Sequence, residues 1–174
     1  MQRLRPYKDA DAEYIIKWME DESSFVKWCA NHFQYPLTLE ELHNYKDFHD
    51  KDEKSLLFTA VDENGVPMGH ILFDKIDYSE NSVHFGHVIV DPKVRGNGLG
   101  KEMLKLALQN AFDILGFSKA TLAVFDNNGA AFSCYKKIGF REYKFFKEVF
   151  PFHEEKWGCY YMQIMRGDFD PDKF

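Results

Sequence analysis

Apolar residues along the chain change their period near residue 54. Before that point, Ala12, Ile15, Ile16 and Met19 recur at helical spacing, with Asp9 or Asp11 placed to cap the helix they predict. Arg3-Leu4-Arg5, ahead of Pro6, reads as a short opening strand, and Ser24 to Ala30 as a second short helix. Thr38-Leu39-Glu40-Glu41 is a capping-box pattern, in which Thr38 and Glu41 each satisfy a backbone donor. It opens a helix running to about Asp50.

Beyond Lys54 the pattern becomes strand-like. Ser55 to Asp62 is rich in β-formers, Glu63-Asn64-Gly65 is a hairpin turn signal, and Val66 to Ile76 answers it. Ser82 to Val90 predicts a further strand, ended by Asp91-Pro92 because proline cannot continue a central ladder. Gly98 to Leu115 returns to helical periodicity through Leu99, Met103, Leu106, Leu108 and Phe112, with Gly116 as the stop. Ala120 to Phe125 reads as a strand and Ala130 to Ile138 as a helix closed by Gly139. Phe140 to Val149 and Trp157 to Met165 read as two aromatic strands around a loop holding Pro151. The order is βααα-ββ-β-α-β-α-ββ, a mixed α/β sheet.

With 174 residues and no repeat or low-complexity linker, the chain is expected to form one domain, residues 1–174. The 22 basic and 28 acidic side chains give a net charge of -6, and no basic stripe marks a nucleic-acid partner. The three cysteines, Cys29, Cys134 and Cys159, lie far apart without C-x-x-C or histidine clusters, so no metal is expected. The opening MQRLRPYKDADAEY has no apolar signal region, and no stretch approaches the roughly 20 apolar residues of a spanning helix. The expectation is a cytoplasmic protein that binds neither membrane nor nucleic acid.

The segment from Val88 to Gly100, VIVDPKVRGNGLG, runs strand, tight loop, helix. The first N–H groups of a helix lack intrahelical partners and carry its positive dipole end. Glycines let the backbone approach an anion closely, so Arg95-Gly96-Asn97-Gly98-Leu99-Gly100 is a candidate pyrophosphate cradle, with charge from Arg95 and Lys101. A Walker loop would need Gly-Lys-Ser/Thr, and a dinucleotide fingerprint G-x-G-x-x-G; these glycines run G-x-G-x-G.

R-x-x-G-x-G after a V-x-P strand end resembles the acetyl-CoA motif of the GNAT acetyltransferases. Asn128-x-x-Ala131-x-x-x-Tyr135-x-x-x-Gly139-Phe140 resembles a second motif of that family. The resemblance is strong from Ser82 to Phe140. It implies a mixed, mostly antiparallel sheet of about seven strands, splayed between strands 4 and 5 and flanked by helices. It also implies an enzyme: an acyl-CoA-dependent N-acetyltransferase in which a primary amine attacks the thioester of acetyl-CoA directly. By resemblance, the backbones of Val88, Ile89 and Val90 hold the pantetheine arm, with the Val90 N–H as oxyanion donor. Arg95 to Lys101 take the pyrophosphate, Asn128 fixes the pantetheine or a water, and Tyr135 protonates the departing thiolate.

The base is less defined. Ribosomal-protein alanine acetyltransferases place a glutamate where this chain has Ala123. His84 stands where the RimJ/RimL-like group tends to carry an acidic residue and is the candidate base, with a water chain as the alternative. Strand alternation puts His84 and His87 on opposite faces. The acceptor site is expected between the helices of Phe25–Phe48 and the Lys147–Trp157 loop, walled from Trp18, Trp28, Phe33, Tyr35, Phe150, Phe152 and Trp157. Glu20, Asp21, Glu22, Glu154 and Glu155 offer charge for a cationic acceptor. The acceptor is a small-molecule or peptide amine, and the aromatic C-terminal strands offer a homodimer edge. The competing readings are a non-catalytic acyl-CoA sensor and transfer to a protein N-terminus or lysine.

Overall fold

Seven strands form one sheet in the order β1-β2-β3-β4-β5-β7-β6, in a computed structural model that describes residues 3–173. The strands are β1 (Arg3–Pro6), β2 (Leu56–Val61), β3 (Pro67–Asp77), β4 (Ser82–Val90), β5 (Lys119–Phe125), β6 (Arg141–Phe152) and β7 (Glu155–Met165). The helices are α1 (Ala12–Trp18), α2 (Glu22–Cys29), α3 (Leu39–His49), α4 (Leu99–Gln109) and α5 (Gly129–Ile138). Every sheet pairing is antiparallel except β4 with β5.

The two faces of the sheet bury separate apolar clusters. Leu104, Leu108 and Phe112 from the α4 segment and Ile138 from α5 meet Phe73, Phe85 and Leu122 on one face. Ile15, Trp18, Phe25, Trp28 and Leu42 from α1–α3 cover Leu72 and Ile89 on the other. Apolar residues three and four apart on each helix therefore point to one side, the pattern legible in the sequence.

The expected elements form, with three local corrections. The Asp11 carboxylate accepts nothing from α1. It is buried, and takes two 2.7 Å bonds from Arg5 and one of 2.7 Å from Thr59, so it ties β1 to β2 instead of capping the helix. Asp21, by contrast, does cap its helix, accepting from the Ser24 N–H at 2.7 Å. The helix expected to reach Leu115 is α-helical only to Gln109, then widens into a π turn over Asn110–Ile114 before Gly116. Pro151 lies inside β6, where an edge strand tolerates its missing N–H, so the expected Lys147–Trp157 loop is instead a hairpin turning at His153-Glu154. Among the described residues no helix is long and apolar enough to cross a membrane.

Two irregularities shape the sheet's centre. First, β4 and β5 pair only from Ser82↔Lys119 to Phe85↔Leu122; beyond that rung the strands separate. Second, β4 carries a bulge, because His70↔Ile89 and Leu72↔Gly86 leave His87 and Val88 opposite one β3 residue. His87 sits at φ 45°, the left-handed backbone that such a bulge demands.

Candidate active site

The gap between β4 and β5 begins immediately after Phe85 and Leu122, and the glycine loop follows the end of β4. In an antiparallel ladder, successive residues turn their amides to opposite sides. Asp91 donates to Met68 of β3 at 2.9 Å, so Val90 turns its N–H and C=O away from β3, into the gap. The Val90 carbonyl receives the Arg95 Nε at 3.2 Å. Its N–H faces the same gap.

Gly96 and Gly98 stand at φ +81° and +82°, and a Cβ at either would meet nothing within 4 Å. The glycines serve backbone conformation there, not packing. Gly98 is the N-cap of α4 and offers no side-chain cap to its first turn. Gly100 is different: its Cβ would lie 3.6 Å from Val90 Cγ2, an ordinary contact. The Arg95 guanidinium is engaged by Glu20, at 3.0 Å, across the mouth of the loop.

The spacing of the second motif has a local explanation. Asn128 is the N-cap of α5, its side chain accepting from the Ala131 N–H at 3.4 Å, three residues on. At the other end Gly139 takes φ +109°, and the Phe140 N–H closes back onto the Tyr135 carbonyl at 3.1 Å. Tyr135 is buried between these ends, its ring against Phe140 at 6.0 Å. Its hydroxyl makes no hydrogen bond with the other described residues. Burial pushes its pKa up, so it stays protonated, the state an acid requires.

The bulge overturns one expectation: His84 and His87 share a face. Alternation alone would separate them, but the extra residue at His87 shifts the phase, so that Phe85 and Ile89 enter opposite clusters. His84 lies beside Asp74 on β3 and bonds Thr121 on β5 at 2.9 Å, within the closed part of the β4–β5 pair. Burial pushes its pKa down to about 4.

On that same face lies a cavity of about 510 Å³, lined among others by His32, Phe33, Glu41, Tyr45, Asp74 and His87. Of the expected wall residues only Phe33 lines it. Trp18, Trp28 and Trp157 are core, and Phe150 and Phe152 pack on Trp157. Four of the five expected acidic residues are otherwise engaged: Glu20 holds Arg95, Asp21 caps α2, Glu22 pairs with His153, and Glu155 accepts from the Trp157 ring N–H. Glu41 lines the cavity, with its oxygens accepting from the Gln34 N–H, the Thr38 N–H and the Thr38 hydroxyl. Burial opposes its charge, but N–H groups of Gln34 and Thr38 hold its pKa below the ordinary carboxylate value. Sequence reasoning missed His32, Tyr45, Asp74 and the lining role of Glu41. The capping box placed Glu41, but no local pattern announced which way the cavity opens.

Residues 13–140 match the model of the Acetyltransferase (GNAT) family. The spermidine N(1)-acetyltransferase of Escherichia coli (strain K12) is 27% identical over 138 residues, covering 79% of this chain and 72% of that protein. An N-acetyltransferase 9-like protein of Caenorhabditis briggsae is 28% identical over 159 residues, with 84% of this chain and 79% of the relative covered. The crystal structure of spermidine N-acetyltransferase from Vibrio cholerae in complex with CoA and spermine superposes with a TM-score of 0.85. That pair is 23% identical, with 96% of each chain covered, which establishes the fold.

Proposed function

We propose that this chain, which belongs to the GNAT acetyltransferase family and transfers acetyl groups from acetyl-CoA to amines, takes a small polyamine as its acceptor. The observation that carries the reading is the cavity beside the bulge of β4, with aromatic walls and the carboxylates of Glu41 and Asp74. A flexible polycation needs spaced carboxylates for its ammonium groups and apolar surface for its methylenes. The net charge of -6 favours approach of such a ligand, and spermidine acetyltransferases among the relatives agree with it.

In this reading the pantetheine arm of acetyl-CoA lies in the gap, against the backbone of Val88, Ile89 and Val90. The loop from Arg95 to Lys101 holds the diphosphate. The amine attacks the thioester carbon, the Val90 N–H steadies the oxyanion, and Tyr135 donates its proton to the leaving thiolate. Asn128 has its side-chain oxygen committed to α5 and offers its amide N–H groups to the pantetheine. His84, the candidate base read from the sequence, is half-buried and tied to Thr121 within the closed part of the β4–β5 pair, which leaves the base role to another group on the acceptor face. Exposed Tyr143, Phe145 and Val149 on the edge strand β6 make it the candidate surface for self-association, and a spermidine acetyltransferase of the same fold forms a dodecamer.

An acceptor screen that follows CoA thiol release tests the proposal. Spermidine or spermine should give the highest kcat/KM. A tenfold preference for a lysine or N-terminal peptide over every polyamine would replace the small-molecule reading with a protein acceptor.

A further inference from the structure

Four side chains from four segments form one hydrogen-bonded chain on the acceptor face. His32 Nδ1 lies 3.0 Å from His87 Nε2, His87 Nδ1 3.0 Å from the Tyr45 hydroxyl, and that hydroxyl 3.1 Å from His70 Nε2. Trp28 Nε1 donates to the His87 carbonyl at 2.8 Å and pins the bulge that carries it. His70 and His87 are buried, whereas His32 is exposed at the cavity. The chain therefore runs from solvent and the acceptor cavity into the protein core.

The histidine tautomers set its direction. His70 Nδ1 is buried without a hydrogen-bond partner among the described residues; where it carries the proton, His70 Nε2 is free to accept from Tyr45. His70 Nε2 is then an acceptor, so Tyr45 donates to it. The Tyr45 oxygen accepts from His87 Nδ1–H, and His87 Nε2 accepts from His32 Nδ1–H. This sequence leaves His32 Nε2 as a bare lone pair at the cavity.

We propose that His32 is the base that takes the proton of the acceptor ammonium, and that His87, Tyr45 and His70 are positioning residues that fix its ring. The inference rests on the cavity being the acceptor site. The balance is simple. His32 Nε2 takes one proton from the ammonium and passes it to water; the amine nitrogen bonds the thioester carbon and the C–S bond breaks. Tyr135 gives its proton to the thiolate and is reprotonated by the second amine proton.

Charge stays at the exposed end of the chain. Burial pushes the pKa of His70 down to about 3 and that of His87 well below the ordinary value, so neither accepts the proton inward. The groups facing His32 are Glu41, Tyr45 and His49 from α3, Asp74 from β3 and His87 from β4; His84 lies further along β4.

The test compares pH profiles of kcat/KM. His32→Gln should lose about 100-fold or more at pH 7, recover as pH rises and free amine becomes abundant, and regain activity with added imidazole. Acetyl-CoA affinity by calorimetry should stay at the wild-type value. Tyr45→Phe keeps volume but cuts the chain, and should displace the ascending limb of the profile with a smaller loss of kcat. A His32→Gln profile equal to wild type overturns the inference. So does a slow variant with unchanged profile shape and no imidazole response, which would make His32 structural. Spermidine and a lysine peptide are both assayed, and the better acceptor is used for the variants. A wrong acceptor reading then shows in the wild type alone, and a wrong base only in the variants.

Discussion

Arg95 and Glu20 meet at 3.0 Å across the mouth of the glycine loop, joining the α1–α2 turn to the segment that leads into α4. The contact is an ion pair between two half-exposed side chains, and Glu20 competes for the charge that a diphosphate would use. Exposed pairs of this kind contribute about 0–1 kcal/mol. Glu20→Gln should therefore tighten CoA binding by up to about fivefold at low ionic strength, with the gain shrinking in salt. Calorimetry at two salt concentrations measures it; weaker binding in the variant would mean that Glu20 orients Arg95 productively instead of competing.

The loop glycines should fail in different ways. Gly98→Ala meets no steric obstacle, but holds a Cβ at φ +82°, at a cost of roughly 1 kcal/mol in stability. Gly100→Ala has an ordinary contact with Val90 and no unusual φ, so its melting temperature should stay near wild type while CoA affinity falls. Thermal shifts with and without CoA separate the two, and an unaltered CoA response in both variants would remove the loop from the binding site.

Tyr135→Phe deletes one hydroxyl and leaves the packing against Phe140. The hydroxyl has no partner among the described residues, so folding should be nearly unaffected. Turnover should fall about 10²–10⁴-fold with KM for acetyl-CoA retained. Wild-type turnover in a well-folded variant would retire Tyr135 as the acid.

Acid should destabilise this fold before its carboxylates titrate. His70 at about 3, His84 at about 4 and His87 well below the ordinary value all have folded pKa values lowered by burial. The unfolded chain takes up these protons near pH 6.5 and the folded chain does not, so the unfolded state binds more protons between pH 6.5 and about 4. Stability is complete above pH 6.5 and falls as pH drops through that window, by about 1.4 kcal/mol per pH unit for each histidine. Asp11 adds its loss only at lower pH, because its folded pKa is depressed. Urea unfolding across the window checks this, and a constant free energy from pH 6.5 to 4.5 would contradict it.

The amino-acid sequence by itself determined the elements and both motifs. The Arg95–Gly100 loop is contiguous, and Asn128, Ala131, Tyr135 and Gly139 are set by the cap, period and stop of a single helix. Such features are decided by interactions within a few residues, which a linear pattern records. The tertiary structure decided what depends on distant partners. Placing β7 between β5 and β6 sent Pro151 to an edge strand, and the last β4–β5 rung at Phe85↔Leu122 fixed where the gap opens. One bulged residue, His87, reversed the alternation that had set it apart from His84. It also aligned His87 with His32, Tyr45 and His70, from segments separated by up to 55 residues. Strand phase beyond a bulge depends on the partner strand's register, and no periodicity within β4 carries that information.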